Sequence, residues 1–143
     1  MRDNDRSIFV ARHNSAGGDL DTDRKSFFNS RPILVVAVTF VGENPSDTDT
    51  DTTAIDVSYS TDGFSSSDVE IAALAAQEYN DTDQHAQFGT DRDAADIALT
   101  AASIASGTEG VRVPAGAVVE VTMTNTGAGA DTRYNVVVEY ITL

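Results

Sequence analysis

Residues 111–143, VRVPAGAVVEVTMTNTGAGADTRYNVVVEYITL, decide the fold of this chain of 143 residues. Over residues 119–124 apolar side chains alternate with polar ones, which is the pattern of a strand with one buried face. Residues 134–143 are rich in β-branched residues and predict a second strand. A stretch of small residues, 125–132, joins the two, and such a connection favours an antiparallel pair. The C-terminal third therefore predicts locally paired antiparallel strands.

The same patterns continue toward the N-terminus. Residues 33–41 (ILVVAVTFV) are apolar and β-branched between a proline and a glycine, and they predict a central strand. Residues 54–60 alternate and predict a half-buried strand, and residues 8–12 predict a short edge strand. The chain offers about eight short strands, a number and spacing typical of an all-β, antiparallel two-sheet sandwich of jelly-roll type.

Two alanine-rich segments leave an alternative open. Residues 68–79 follow a helix-capping pattern, Ser67 to Glu70, but their apolar residues also alternate as in a strand. Residues 94–106 have apolar residues at helical spacing before Gly107, which is placed as a helix C-cap. Helices at one or both segments would make the fold α+β. Because tertiary context often overrides local propensity, the all-β sandwich is the first prediction and the α+β fold its alternative.

The first 31 residues are polar and charged around one short apolar run. They predict an N-terminal arm with one edge strand (residues 1–31) ahead of a β-sandwich domain (residues 32–143). An apolar arm segment can dock on a neighbouring subunit by adding a strand to its sheet. The alternative is that the arm folds back on its own domain. The residues predicted to make assembly contacts are Ile8, Phe9, Val10, Phe27 and Phe28.

The charge of the chain excludes several functions. There are 23 acidic and 9 basic residues, the net charge is −14, and Lys25 is the only lysine. General binding to nucleic acid or to anionic membranes needs a basic surface, so neither is expected as a partner. At molar salt the Debye length is about 3 Å and the repulsion is largely screened. An acid-rich, nearly lysine-free surface resembles proteins of extreme halophiles, and an ordinary acidic protein is the alternative.

The chain also lacks cysteine, a signal-peptide pattern and a membrane-spanning stretch. The chain has no cysteine, which excludes disulfides, thiolate metal sites and cysteine catalysis. Residues 1–13 have no apolar core of signal-peptide length, and no stretch approaches the length of a membrane span. We therefore expect a protein made in the cytoplasm without a signal peptide.

No catalytic constellation stands out. His13 and His85 are the only candidate imidazole bases, neither lies in a recognised catalytic motif, and both are expected to be exposed to solvent. A pair of catalytic carboxylates cannot be singled out among 23 acidic residues. We therefore predict no enzymatic activity, no catalytic residues and no bound cofactor.

Two runs of alternating aspartates have the spacing with which a calcium loop begins. Neither run has glycine at the sixth position or glutamate at the twelfth, so the pattern predicts at most loosely bound cations. The alternative is a pair of solvated acidic loops. The candidate ligands are Asp19, Asp21, Asp23, Asp47, Asp49 and Asp51.

Residues 111–143 resemble the closing strands of small β-sandwich structural proteins of tailed viruses. In those proteins a Pro-Ala-Gly turn, here residues 114–116, leads into an alternating strand, a polar loop and a valine-rich last strand. With the halophile-like surface, the resemblance implies a virion protein of a haloarchaeal tailed virus: a capsid decoration, turret or tail-associated subunit. It implies no catalytic residues. The implied partners are further copies of the chain, as trimers or pentamers, and virion proteins such as a major capsid protein.

Two other functions remain open. One is a carbohydrate- or cell-surface-binding sandwich module, although the chain has no tryptophan and only four tyrosines for stacking against sugars. The other is a small hydrolase whose carboxylates the sequence does not identify.

Overall fold

The computed structural model describes residues 6–14, 20–43, 52–66, 68–78, 96–97, 110–126 and 133–143. Within these ranges the chain forms nine strands and no helix, which confirms the all-β prediction. The strands are β1 (Arg6–Asn14), β2 (Leu20–Asn29), β3 (Ile33–Glu43), β4 (Thr52–Ser60), β5 (Val69–Glu78), β6 (Asp96–Ile97), β7 (Val111–Val113), β8 (Ala117–Thr126) and β9 (Arg133–Thr142).

The strands form two antiparallel sheets. In the five-stranded sheet the order is β1-β9-β3, and β6 and β7 both pair with β3. In the four-stranded sheet the order is β2-β8-β4-β5. The pairs are nested along the chain: β1 with β9, β2 with β8, β3 with β7, and β4 with β5. A long ribbon of nested antiparallel pairs wound into two sheets is the jelly-roll arrangement, as the sequence predicted.

The core lies between the two sheets, where alternate residues of every long strand turn inward. In β4, Ile55 and Val57 are buried while Tyr59 packs at the margin, as the alternation over residues 54–60 predicts. Fully buried core residues come from both sheets: Val35, Val136 and Val138 from the five-stranded sheet, and Val119, Val121 and Met123 from the four-stranded sheet.

Strand β5 shows why the helix alternative for residues 68–79 is wrong. The pairing of β4 with β5 shifts between Val57 and Ser58, which leaves Ile71 as an extra residue. Because of this bulge, Ile71 and Ala72 are both buried, which strict alternation would not allow. Burial of these side chains in the core overrides the local helix propensity. Of residues 94–106, only β6 lies among the described ranges.

The segment predicted as an arm with one edge strand carries two strands. Strand β1 joins the five-stranded sheet, and β2 pairs with β8 along its whole length without a register shift. Asn29, at the end of β2, donates hydrogen bonds from Nδ2 to the carbonyls of Pro114 (2.7 Å) and Arg31 (3.0 Å). Its own carbonyl accepts a hydrogen bond from the amide of Gly116 at 2.8 Å. The segment is therefore tied into both sheets of this chain.

Candidate functional site

Strands β1 and β2 lie at one lateral side of the sandwich, where each pairs on one side only within the described ranges. The side chains of the two strands meet between the sheets. The rings of Phe9 and Phe27 have centroids 4.8 Å apart, and Phe27 stacks on Tyr140 of β9 at 5.2 Å. One side of the molecule thus has an edge strand from each sheet, held together by aromatic contacts.

The predicted assembly residues all lie on these two strands, but they divide into two groups. Phe9 and Phe27 are half-buried and pack against the core. Ile8, Val10 and Phe28 are exposed, with 62 %, 48 % and 65 % of their surface accessible. Ile8 and Val10 face outward from the five-stranded sheet, whereas Phe28 faces outward from the four-stranded sheet, so the three side chains lie on the outer faces of different sheets.

Ile8 and Val10 belong to a larger apolar surface on the outside of the five-stranded sheet. Val10 pairs with Val137 of β9, and Ile8 lies in the same row as Ala37 of β3. Val137 lies on the outer face because its neighbours at 136 and 138 are fully buried. We call Ile8, Val10, Ala37 and Val137 the aliphatic face.

One ion pair lies within this surface. Arg6 and Glu139 approach to 3.7 Å, and Glu139 sits between Ile8 and Ala37 in the sheet. Both side chains are partly exposed, so the pair contributes at most about 1 kcal/mol to stability. It interrupts the aliphatic face without covering Val10.

The outside of the four-stranded sheet is mostly polar, and we call it the polar face, but Phe28 of β2 (65 % exposed) and its partner Val118 of β8 also face outward there. Its outward positions alternate with the buried valines of the same strands. The polar residues at these positions are Thr22, Arg24 and Ser26 on β2, Glu120, Thr122 and Thr124 on β8, and Asp56, Ser58 and Ser60 on β4. Of these, Ser58 and Ser60 are buried.

His13 is fully buried, so the expectation that it is exposed to solvent was wrong. It follows Phe9 and Ala11 on the inward-facing positions of β1, where the alternation directs it between the sheets. Its Nδ1 lies 3.0 Å from a carboxylate oxygen of Asp23 on β2. The contact links the two edge strands, and its burial gives a substrate no access to the imidazole. His85 lies outside the described residues.

The predicted cation ligands are only partly within the described chain. Asp21 and Asp23 lie in β2, so this part of the first aspartate run is strand rather than loop. Asp23 contacts His13. Across the part of the chain that the structure describes, no group of three or more histidine or acidic side chains could hold a metal ion. The predicted ligands that lie outside the described residues are Asp19, Asp47, Asp49 and Asp51.

A cavity of about 220 Å³ lies at the end of β2. Its walls include the rings of Phe27, Phe28 and Tyr140, together with Asn29 and Arg31. Asn29 is 6 % exposed, and its Oδ1 has no hydrogen-bond partner among the described residues. The sequence did not identify this site because β9 brings Tyr140 to it from more than a hundred residues away along the chain.

No protein-family model and no curated protein sequence matches this chain. The structure has no helix, within the ranges it describes, that is long and apolar enough to cross a membrane. The fold and the surfaces therefore carry the functional argument.

Proposed function

We propose that this protein is a non-enzymatic structural subunit of a virion that assembles with copies of itself on a larger particle in high salt. Its role is that of a capsid decoration, turret or tail-associated subunit, in contact with other virion proteins such as a major capsid protein. The observation that carries the proposal is the aliphatic face, which exposes apolar side chains where a sandwich in solution usually presents polar ones.

The physical argument concerns the balance of attraction and repulsion. Burying the exposed parts of Ile8 and Val10 contributes about 1 kcal/mol each at an interface. A net charge of −14 on every copy opposes association. Salt near 1 M shortens the Debye length to about 3 Å and removes most of that repulsion, while apolar attraction persists. Self-assembly in brine is therefore favoured, with trimers or pentamers as the natural closed units.

The test compares one substitution on each outer face. Val10→Asp places a charge on the aliphatic face, and Thr124→Asp places the same charge on the polar face. Molecular mass is measured by light scattering from about 0.15 M to about 3 M NaCl. We expect the wild type and Thr124→Asp to form one oligomer at high salt and Val10→Asp to remain monomeric. A wild-type monomer at every salt concentration, or unchanged assembly of Val10→Asp, would contradict the proposal.

A carbohydrate- or cell-surface-binding module is the second candidate, because of the cavity at the end of β2. Aromatic rings beside an amide and a guanidinium are suited to the apolar face and the hydroxyls of a sugar. Titration of the protein with a panel of glycans by isothermal calorimetry tests this function. Saturable heat that Phe28→Ala abolishes and Val69→Ala preserves would support it, and no heat from any glycan would count against it. No observation in the described residues favours the small-hydrolase alternative.

A further inference from the structure

Charge is distributed unevenly between two parts of the fold. Residues 6–31, which include β1 and β2, carry five basic and three acidic residues in a chain whose net charge is −14. Residues 52–78, which include β4 and β5, carry five acidic residues and no basic one. One part is therefore net positive and the other strongly negative.

Strand β2 of the first part and β5 of the second form opposite edges of the four-stranded sheet, whereas Arg6 and Arg12 of the first part lie on β1 in the other sheet. On the β2 edge, Arg24 and Lys25 are exposed. On the β5 edge, Asp68 and Glu70 are exposed. Each edge also exposes a large apolar side chain, Phe28 (65 %) on β2 and Val69 (47 %) on β5. Strand β2 also carries Asp21 and Asp23, but Asp23 is partly buried against His13, so the exposed charges of the two edges, Arg24 and Lys25 against Asp68 and Glu70, are complementary. Each edge also offers apolar surface to bury.

The topology allows these edges to meet in successive copies. Strand β2 is antiparallel to β8, β8 to β4, and β4 to β5, so β2 and β5 run in opposite directions. Placing the β2 edge of one copy beside the β5 edge of the next continues the antiparallel order. Ser26 and Glu70 lie in one row across the sheet, so Arg24 and Glu70 lie at nearly the same level on the two opposite edges. The bulge at Ile71 interrupts β5, so the contact is made by side chains rather than by a continued main-chain ladder.

We propose that the β2 edge of one copy docks head to tail against the β5 edge of a second copy. Contacts between identical edges are disfavoured, because β2 against β2 would oppose Arg24 and Lys25 to their own copies. The same holds for Asp68 and Glu70 on β5. A head-to-tail contact that closes on itself makes a ring. The inference rests on the self-assembly proposed above, but it assigns an interface separate from the aliphatic face.

Two charge reversals test the interface. Arg24→Glu places a negative charge on the β2 edge opposite the acidic β5 edge, and Glu70→Arg places a positive charge on the β5 edge opposite Arg24 and Lys25. Each variant alone brings like charges together, so we expect its association to weaken about tenfold at the lowest salt at which the wild type assembles. The double variant with Arg24→Glu and Glu70→Arg in one chain restores opposite charges at every contact in a ring of any number of copies, and we expect it to assemble like the wild type.

Glu120→Arg is the matched control, because Glu120 lies in the same row as Glu70 but on the central strand β8. It should assemble as the wild type does. The mass of each sample is measured by sedimentation velocity.

If both edge variants assemble normally while Val10→Asp does not, the edge interface is overturned and the aliphatic face stands. If the double variant fails to assemble while the wild type assembles, the head-to-tail arrangement is overturned. A wild type that stays monomeric at every salt concentration overturns both proposals.

Discussion

The two outer faces of the sandwich have the same kind of backbone but present different chemistry. On the polar face, side chains hydrogen-bond to each other: the Ser58 hydroxyl donates to Asp56 at 2.9 Å, and Thr22 donates to Thr124 at 3.5 Å. On the aliphatic face, Ile8 and Val10 have apolar surface exposed to water. Several side chains of the polar face are hydrogen-bonded within one copy, whereas the exposed apolar surface of Ile8 and Val10 leaves water only when it is covered. Under the proposed self-assembly, we expect the aliphatic face to be the side that contacts a neighbouring copy.

The inner faces of the two sheets do not differ in this way, because both bury apolar side chains in the same core. Ile33 and Ile55 are each 2 % exposed, one in each sheet. We expect alanine at either position to lower the free energy of unfolding by about 2 to 5 kcal/mol. Ile8→Ala, on the aliphatic face, should lower it by less than about 1 kcal/mol while it weakens assembly. Urea denaturation of the monomer measures the first effect and light scattering the second.

A large loss of monomer stability in Ile8→Ala would contradict this distinction, because it would place Ile8 in the core of its own chain. Equal losses at positions 33 and 55 would agree with one shared core. A much smaller loss at one of them would mean that its sheet collapses around the cavity.

Gly110 lies close to the backbone of Val35 and the side chain of Leu34 in β3. Its φ is +148°, and a Cβ there would stand 2.4 Å from the carbonyl oxygen of Val35 and 3.0 Å from the Leu34 side chain. Leu34 faces outward between buried neighbours yet is 9 % exposed, because this close approach helps to cover it. We expect Gly110→Ala to lower the free energy of unfolding by about 3 kcal/mol.

The control is Gly116→Ala, at a turn where φ is +81° and a Cβ would meet nothing within 4 Å. It carries the backbone strain without the collision, so its loss should be about 1 kcal/mol. Thermal unfolding of both variants gives the comparison. Equal losses would show that the approach to Val35 does not matter and that Leu34 is covered in some other way.

The sequence predicted the strands whose inward positions are apolar and missed β2, where most of the inward positions are polar. Residues 33–41 and 119–124 alternate or run apolar because they bury side chains in the core, so their pattern identifies them. Strand β2 (LDTDRKSFFN) lies at the border of the sandwich, where its inward Asp23 meets His13 and its inward Asn29 bonds to main-chain carbonyls. Such positions can be polar, so periodicity gives no signal there.

The candidate surfaces were harder to predict for a related reason. The exposed apolar residues on β1 and β2 were visible in the sequence, but which of them face outward depends on the register with β9 and β8. The opposition of a basic and an acidic edge depends on sheet order, because β2 and β5 become opposite edges only when β8 and β4 lie between them. That order is set by contacts between distant parts of the chain.

The smallest expected effect concerns the turn after β4, at the end of the polar face. Asp62 accepts hydrogen bonds from the hydroxyls of Ser60 and Ser66, and these hold the pKa of its carboxyl well below the usual value near 3.8. Because the pKa is lower in the folded state than in the unfolded state, the carboxylate stabilises the folded state at pH values above about 3.8. This contribution is lost as the pH falls below that value. We expect Asp62→Asn to be slightly less stable than the wild type at pH 7 and to lose less stability on acidification. Urea midpoints measured at pH 7 and near pH 3 give both differences. Equal losses of stability on acidification for the two proteins would mean that the turn contributes no pH-dependent stability. The hydrogen bonds to Asp62 would then stabilise the folded chain no more than hydrogen bonds to water do.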